Sequence, residues 1–126
     1  MAFHGKNKNF LESLKHAVDG IIETVHSERN IKIHFMITIV VLIAGLLFKI
    51  NRYEWMAIVI CIGLVIGLEL LNTSIENVVD LACRLEYHEL AKKAKDASAG
   101  AVLIIVIMSV MIGMLIFIPK IIEFVF

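Results

Sequence analysis

Cysteine is scarce in this chain of 126 residues: Cys61 and Cys83 are the only two, and no CxxC or Cys/His spacing accompanies them. Neither a disulfide framework nor a zinc site is supported. Net charge is missing too, because 12 Lys and Arg balance 12 Asp and Glu. Bulk charge therefore points to no nucleic acid and no polyacid partner. No Walker loop, GxGxxG or Asp-Phe-Gly segment occurs, which removes the familiar soluble cradles for nucleotides. No stretch alternates apolar and polar residues at period two, so strands are not expected. The polar, basic start lacks a small-residue cleavage site, and a cleaved leader is not expected.

What is abundant is apolar surface. Hydrophobic residues make up 60% of the chain and the mean hydropathy is +0.88, too apolar for an ordinary soluble domain. We expect a single all-α integral membrane unit over 1–126. Phe10, Leu11, Leu14, Val18, Ile21, Ile22 and Val25 recur at steps of three and four, which predicts an amphipathic helix over about 10–28. Its charged opposite face suits a helix lying in the membrane surface, and a helix packed on the protein itself has the same pattern.

Three apolar runs follow, and they predict spans over about 31–50, 54–74 and 97–118. A short turn, Asn51-Arg52-Tyr53-Glu54, separates the first two, with Tyr53 and Trp55 at interfacial positions. Gly63 and Gly67 form a GxxxG spacing that reads as a small-residue packing face. The third span is expected to end at the single proline, Pro119. Lys6, Lys8, Lys15, Arg29 and Lys32 precede the first span, and Arg84, Lys92, Lys93 and Lys95 lie between the second and third. Only Lys49, Arg52 and Lys120 fall on the other side. The positive-inside rule puts the amino terminus in the cytoplasm and the carboxyl terminus outside.

The second span carries Glu69, Asn72, Glu76 and Asp80 at steps of three, four and four. At about 100° per residue these form one helical stripe. Acidic groups in hydrocarbon are costly, and chemistry is the usual reason to keep them. If Trp55 marks the outer boundary, a rise of about 1.5 Å per residue across about 30 Å of hydrocarbon puts the inner boundary near residue 75. Glu69 then lies among acyl chains, Glu76 at the boundary and Asp80 in water.

A poorly solvated carboxylate suits a general base that takes a proton from an alcohol dissolved in lipid. Glu28 and Asp96, each just before a span, share the depth of Glu76, and Lys95 joins them. Carboxylates and a lysine at one level can bind a divalent ion and the phosphates it bridges. Without a glycine-rich loop, a nucleotide must be held by side chains at helix ends. His4, His16, His26 and His34 show no metal spacing and read as interfacial or packed histidines.

Glu69-Leu-Leu-Asn72-Thr-Ser-Ile-Glu76 with Val79-Asp80, Glu86-Tyr-His-Glu-Leu90 and Ala94-Lys95-Asp96 resemble the prokaryotic diacylglycerol kinase family over nearly the whole chain. The resemblance implies a homotrimer of three-span protomers with amino-terminal surface helices. It implies Glu69 as catalytic base, Glu28 and Glu76 as Mg²⁺ ligands and nucleotide contacts, and Glu86, His88, Lys95 and Asp96 as further nucleotide-binding positions. Asn72 and Asp80 match the motif and are assigned support of the site. ATP is the implied phosphoryl donor, and membrane lipid surrounds the protein.

Segments 20–30, 96–102 and 117–120 look like the Gram-positive branch, similar to undecaprenol kinases. The diacylglycerol-specific branch usually has Met-Gly-Ser-Ala-Ala after the Lys-Asp pair, and here the serine, Ser98, is displaced by one residue. The Glu-Tyr-His-Glu-Leu segment looks like that diacylglycerol branch instead. Undecaprenol is the expected acceptor, with diacylglycerol as the alternative. A rival of another class is a non-enzymatic oligomer conducting ions along the acidic stripe. That reading calls for acids spread through the bilayer, whereas the second span has none between Trp55 and Leu68.

Overall fold

A computed structural model describes residues 9–126. His4, Lys6 and Lys8 lie outside these described residues. Four helices follow one another: α1 (Phe10–Ser27), α2 (Arg29–Leu47), α3 (Arg52–Cys83) and α4 (Glu89–Val125). The last three are long and apolar enough to cross a membrane, where helices satisfy every backbone polar group internally.

Helix α1 starts at Asn9, whose side chain accepts from the Glu12 N–H at 2.9 Å, as an N-cap should. It stops at Glu28, which adopts extended backbone (φ −110°, ψ 123°) and donates its N–H to the Thr24 carbonyl. The same residue opens α2. No residue of α1 is buried within the protomer, and its apolar side chains, Phe10 and Leu11 above all, stand exposed.

The α2–α3 reversal is tight because each residue in it has a job. Lys49 takes the left-handed region (φ 50°). Asn51 and Glu54 form a reciprocal capping box, with the Glu54 N–H donating to Asn51 at 2.9 Å and the Asn51 N–H donating to Glu54 at 3.0 Å. Gly45 lets the Trp55 ring lie against α2. Around this end Ile50, Ile58 and Ile116 form the buried core, with Trp55, Phe48 and Phe117 packed on it.

Two helices run on beyond the expected spans. Helix α3 continues past the expected span to Cys83, since no Gly or Pro interrupts 68–83. Arg84 (φ 53°) and Leu85 (φ 60°) then end it in the left-handed region. At about 1.5 Å per residue its 32 residues reach about 48 Å, well beyond about 30 Å of hydrocarbon.

Helix α4 likewise begins before residue 97, at Glu89, and runs through Pro119 to Val125. The proline forfeits one backbone bond, and side chains beyond it hold the segment in place. Lys120 pairs with Glu54 at 3.2 Å, and Phe124 meets Phe48 edge to face with centroids 6.3 Å apart. Gly63 and Gly67 touch no neighbouring helix in the protomer. The close helix approach occurs at Gly45 instead.

A Cβ added at Gly45 would lie 2.7 Å from Trp55 Cη2, whereas one at Gly100 would meet nothing. Gly45→Ala is therefore expected to lower the thermal midpoint in detergent, at an overpacking cost of about 1–3 kcal/mol. Gly100→Ala should hold or raise the midpoint; circular dichroism melting reads both.

Candidate active site

Among the described residues, the buried polar side chains are Glu69, Asn72 and Thr73, all on one turn of α3. Glu69 is 4% exposed, so its carboxylate has little access to solvent. Across from it stands the His34 ring of α2, with Nε2 at 4.0 Å from Glu69 Oε2. That separation exceeds a direct hydrogen bond, and such pairs are often long without substrate and tighten in the complex.

One turn further, Asn72 Nδ2 donates to Glu76 Oε1 at 3.2 Å. Its own Oδ1 is buried without a partner. Buried acceptors are seldom left so, and this one calls for an N–H or O–H donor. The turn thus presents a buried base candidate, an open acceptor and a braced carboxylate in sequence along one face.

Beyond the span, the end of α3, residues 84–88 and the start of α4 enclose a separate cavity of about 240 Å³. Asp80, Glu86, His88, Lys95 and Asp96 all line it. The Lys95 ammonium donates to Asp80 Oδ1, and that hydrogen bond holds its pKa above the ordinary lysine value. The group therefore stays cationic throughout the physiological range. Asp96 accepts from Lys92 at 2.5 Å. His88 caps α4, its Nδ1 accepting from the Leu90 N–H at 3.2 Å.

The expected residues thus assemble in two groups. Asp80, Glu86, His88, Lys95 and Asp96 share the outer cavity, while Glu69, Asn72 and Glu76 follow one another on α3 before it. Glu28 sits at the α1–α2 junction and does not line the outer cavity. Among the described residues, no three His, Cys, Asp or Glu side chains draw together as a ligand cage.

His34, expected as a packed or interfacial histidine, is the residue that the structure adds to the surroundings of Glu69. It is the one ionisable side chain between residues 33 and 48, and an ionisable group inside a span is by default a functional candidate. Applied to α2 as it was to α3, that rule finds it.

Residues 15–117 match the sequence profile of a family described as Prokaryotic diacylglycerol kinase. A Bacillus subtilis protein named undecaprenol kinase is 49% identical over 111 residues, spanning 88% of this chain and 89% of that protein. A Synechocystis protein named diacylglycerol kinase is 37% identical over 115 residues, 91% of this chain and 66% of its own length. A Helicobacter pylori protein of the same name is 45% identical over 51 residues, 40% of this chain and 39% of that one.

The Asp80–Lys95 contact joins α3 to α4 beside the 84–88 turn. Asp80→Asn and Lys95→Gln should each speed amide exchange in that turn. The double variant should do no more than the worse single, because both remove one shared interaction.

Proposed function

The chain belongs to the prokaryotic diacylglycerol kinase family, and on that premise we propose that it transfers the γ-phosphoryl group of ATP to undecaprenol in the cell membrane. The observation that carries the proposal is the division of α3. A carboxylate buried within the span at Glu69 is followed, past the end of the span, by a Lys95-bearing cavity at Asp80. A lipid hydroxyl and a water-soluble phosphoryl donor need such an arrangement, one on each side of the interface. The higher identity to the undecaprenol kinase than to the diacylglycerol kinase of Synechocystis favours a polyprenol over diacylglycerol as acceptor.

In the reaction, Glu69 takes the proton of the acceptor hydroxyl. The oxygen forms its bond to the γ-phosphorus as the bond to the ADP oxygen breaks. Lys95 neutralises charge on the phosphates, and Glu86, His88 and Asp96 border the nucleotide. Asn72 steadies Glu76 through its 3.2 Å bond, while Asp80 holds Lys95.

Mg²⁺ commonly takes one or two carboxylates with the remaining ligands from phosphate and water. Glu76 and Glu28 fit that donor chemistry as the residues that would hold it. When bound, the ion offsets charge on the β- and γ-phosphates.

The active unit is a homotrimer in this reading. A lone protomer offers few helices to enclose two substrates, and its Gly63 and Gly67 face is uncovered. The exposed apolar side chains of α1 suit a helix lying on the cytoplasmic membrane surface. The balance of Lys and Arg supports an amino terminus and site in the cytoplasm and a carboxyl terminus outside.

Glu69→Gln should lower phosphate transfer from radiolabelled ATP by about 10²–10⁴-fold, the usual contribution of a general base, while the oligomer stays folded. Retained turnover would remove Glu69 from the chemistry. Glu76→Gln should shift the Mg²⁺ titration of activity to higher concentration, and an unchanged titration counts against its ligand role. Undecaprenol and diacylglycerol compared in one micelle preparation should give faster transfer to undecaprenol; the reverse order makes diacylglycerol the acceptor.

A further inference from the structure

Each transfer of a phosphoryl group from ATP to an alcohol sets one proton free, and a base that has taken that proton must lose it before the next cycle. For Glu69 the ways out are few. The next turn of α3 toward the cytoplasm presents Asn72 and Thr73, both buried, and neither an amide nor a hydroxyl titrates near neutrality. Asn72 does reach Glu76, but as a donor through Nδ2, so it hands no proton on from Glu69.

The other helices narrow the choice further. Between Asp96 and Lys120, α4 carries no ionisable side chain. The cleft of about 220 Å³ between α2, α3 and α4 has mostly apolar walls, and no residue of α1 lines it. Its Thr38 hydroxyl is committed to the His34 carbonyl at 2.8 Å. Cys61, eight residues before Glu69 on α3, lies about 12 Å away along the helix. Arg29 and Lys32, on the same helix as His34, are cations with no acceptor.

His34 is left. Its Nε2 stands 4.0 Å from Glu69 Oε2, and its side chain is 19% exposed against 5% for that of Glu69. The ring is thus the acceptor nearest the base and the better connected of the two to the surroundings. Closing the gap to hydrogen-bond range takes a movement of about 1 Å, and imidazole is the side chain best suited to pass protons.

We propose that His34 receives the proton that Glu69 takes from the acceptor hydroxyl and passes it out of the span, resetting the base between turnovers. The inference rests on the lipid kinase reading above. The hydroxyl O–H bond breaks toward Glu69 while the oxygen bonds to the γ-phosphorus and the bond to the ADP oxygen breaks. The carboxylic acid so formed then donates its proton to the neutral ring at Nε2, which leaves Glu69 ionised beside an imidazolium. The imidazolium gives one proton to water, and the neutral ring returns. His34 touches neither substrate in this scheme and acts only through Glu69.

A rapid-quench assay of transfer from radiolabelled ATP to undecaprenol in detergent micelles separates the first turnover from the later ones. His34→Gln keeps a hydrogen-bonding group at that depth but takes no proton. Its first turnover should run close to the wild-type rate, while the steady-state rate falls roughly 10²-fold, the low end of what a positioned proton acceptor contributes. In His34→Ala, added imidazole should restore the steady-state rate in proportion to its neutral form. Each variant is judged as a folded oligomer by size exclusion, and either one alone decides.

An unchanged steady-state rate in His34→Gln overturns the relay. So does a first turnover slowed as much as the later ones, which marks a residue that holds the base instead of emptying it, and so does a folded His34→Ala that imidazole leaves unrestored. These results leave the kinase reading standing as long as the wild-type protein transfers phosphate. A wild-type protein that transfers to neither undecaprenol nor diacylglycerol removes the kinase reading, and the relay with it.

Discussion

A carboxylate kept at membrane depth must be turned away from lipid, and Glu69 sets the terms for the rest of the protomer. An acidic group at the centre of a spanning helix costs about 2.5–3.5 kcal/mol on insertion scales. The cost is tolerable only where other helices cover the group. Here α2 supplies His34 at 4.0 Å, and Glu69 is left 4% exposed. Bringing α2 to that position depends on the opposite end of the helix pair. Gly45 admits the Trp55 ring, the Asn51–Glu54 box closes the turn, and the Ile50, Ile58 and Ile116 core seals it.

Helix length then divides the chemistry. Both α3 and α4 exceed the thickness of a bilayer, and the end of α3 and the start of α4 meet beyond the span through Asp80 and Lys95. Glu69 and Asp80 lie on one rigid rod, 11 residues and about 16 Å apart along its axis. A single helix thereby spaces the two halves of the proposed site without any loop between them. The loop that does exist, residues 84–88, turns the chain back so that α4 brings Lys95 to Asp80. Left-handed Arg84 and Leu85 make that reversal.

Much of this was readable from residue order. Apolar runs announce the helices, and the three-four-four spacing of Glu69, Asn72, Glu76 and Asp80 puts them on one face because helical geometry is local. The ends were less legible. A helix that leaves hydrocarbon for water changes composition without changing conformation, so the stripe carries α3 past the span but its end at Cys83 is marked by no Gly or Pro. Pro119 looked like a stop, yet Lys120 and Phe124 are anchored to residues of the α2–α3 turn, Glu54 and Phe48. These contacts are invisible in a linear pattern.

What the amino-acid order determined by itself is therefore the set of spans, their number and the acidic stripe, all consequences of hydrophobic run length and a period of about 3.6 residues. Family motifs at Glu69, Glu76 and Lys95 were equally plain. Tertiary structure decided which residues from different helices meet. It set His34 against Glu69 across 35 positions of chain, paired Lys95 with Asp80 across 15, and opened the cleft between α2, α3 and α4. Such meetings depend on the rotation and close approach of whole helices. Those are set by packing at distant points such as Gly45 against Trp55, and no local spacing encodes them.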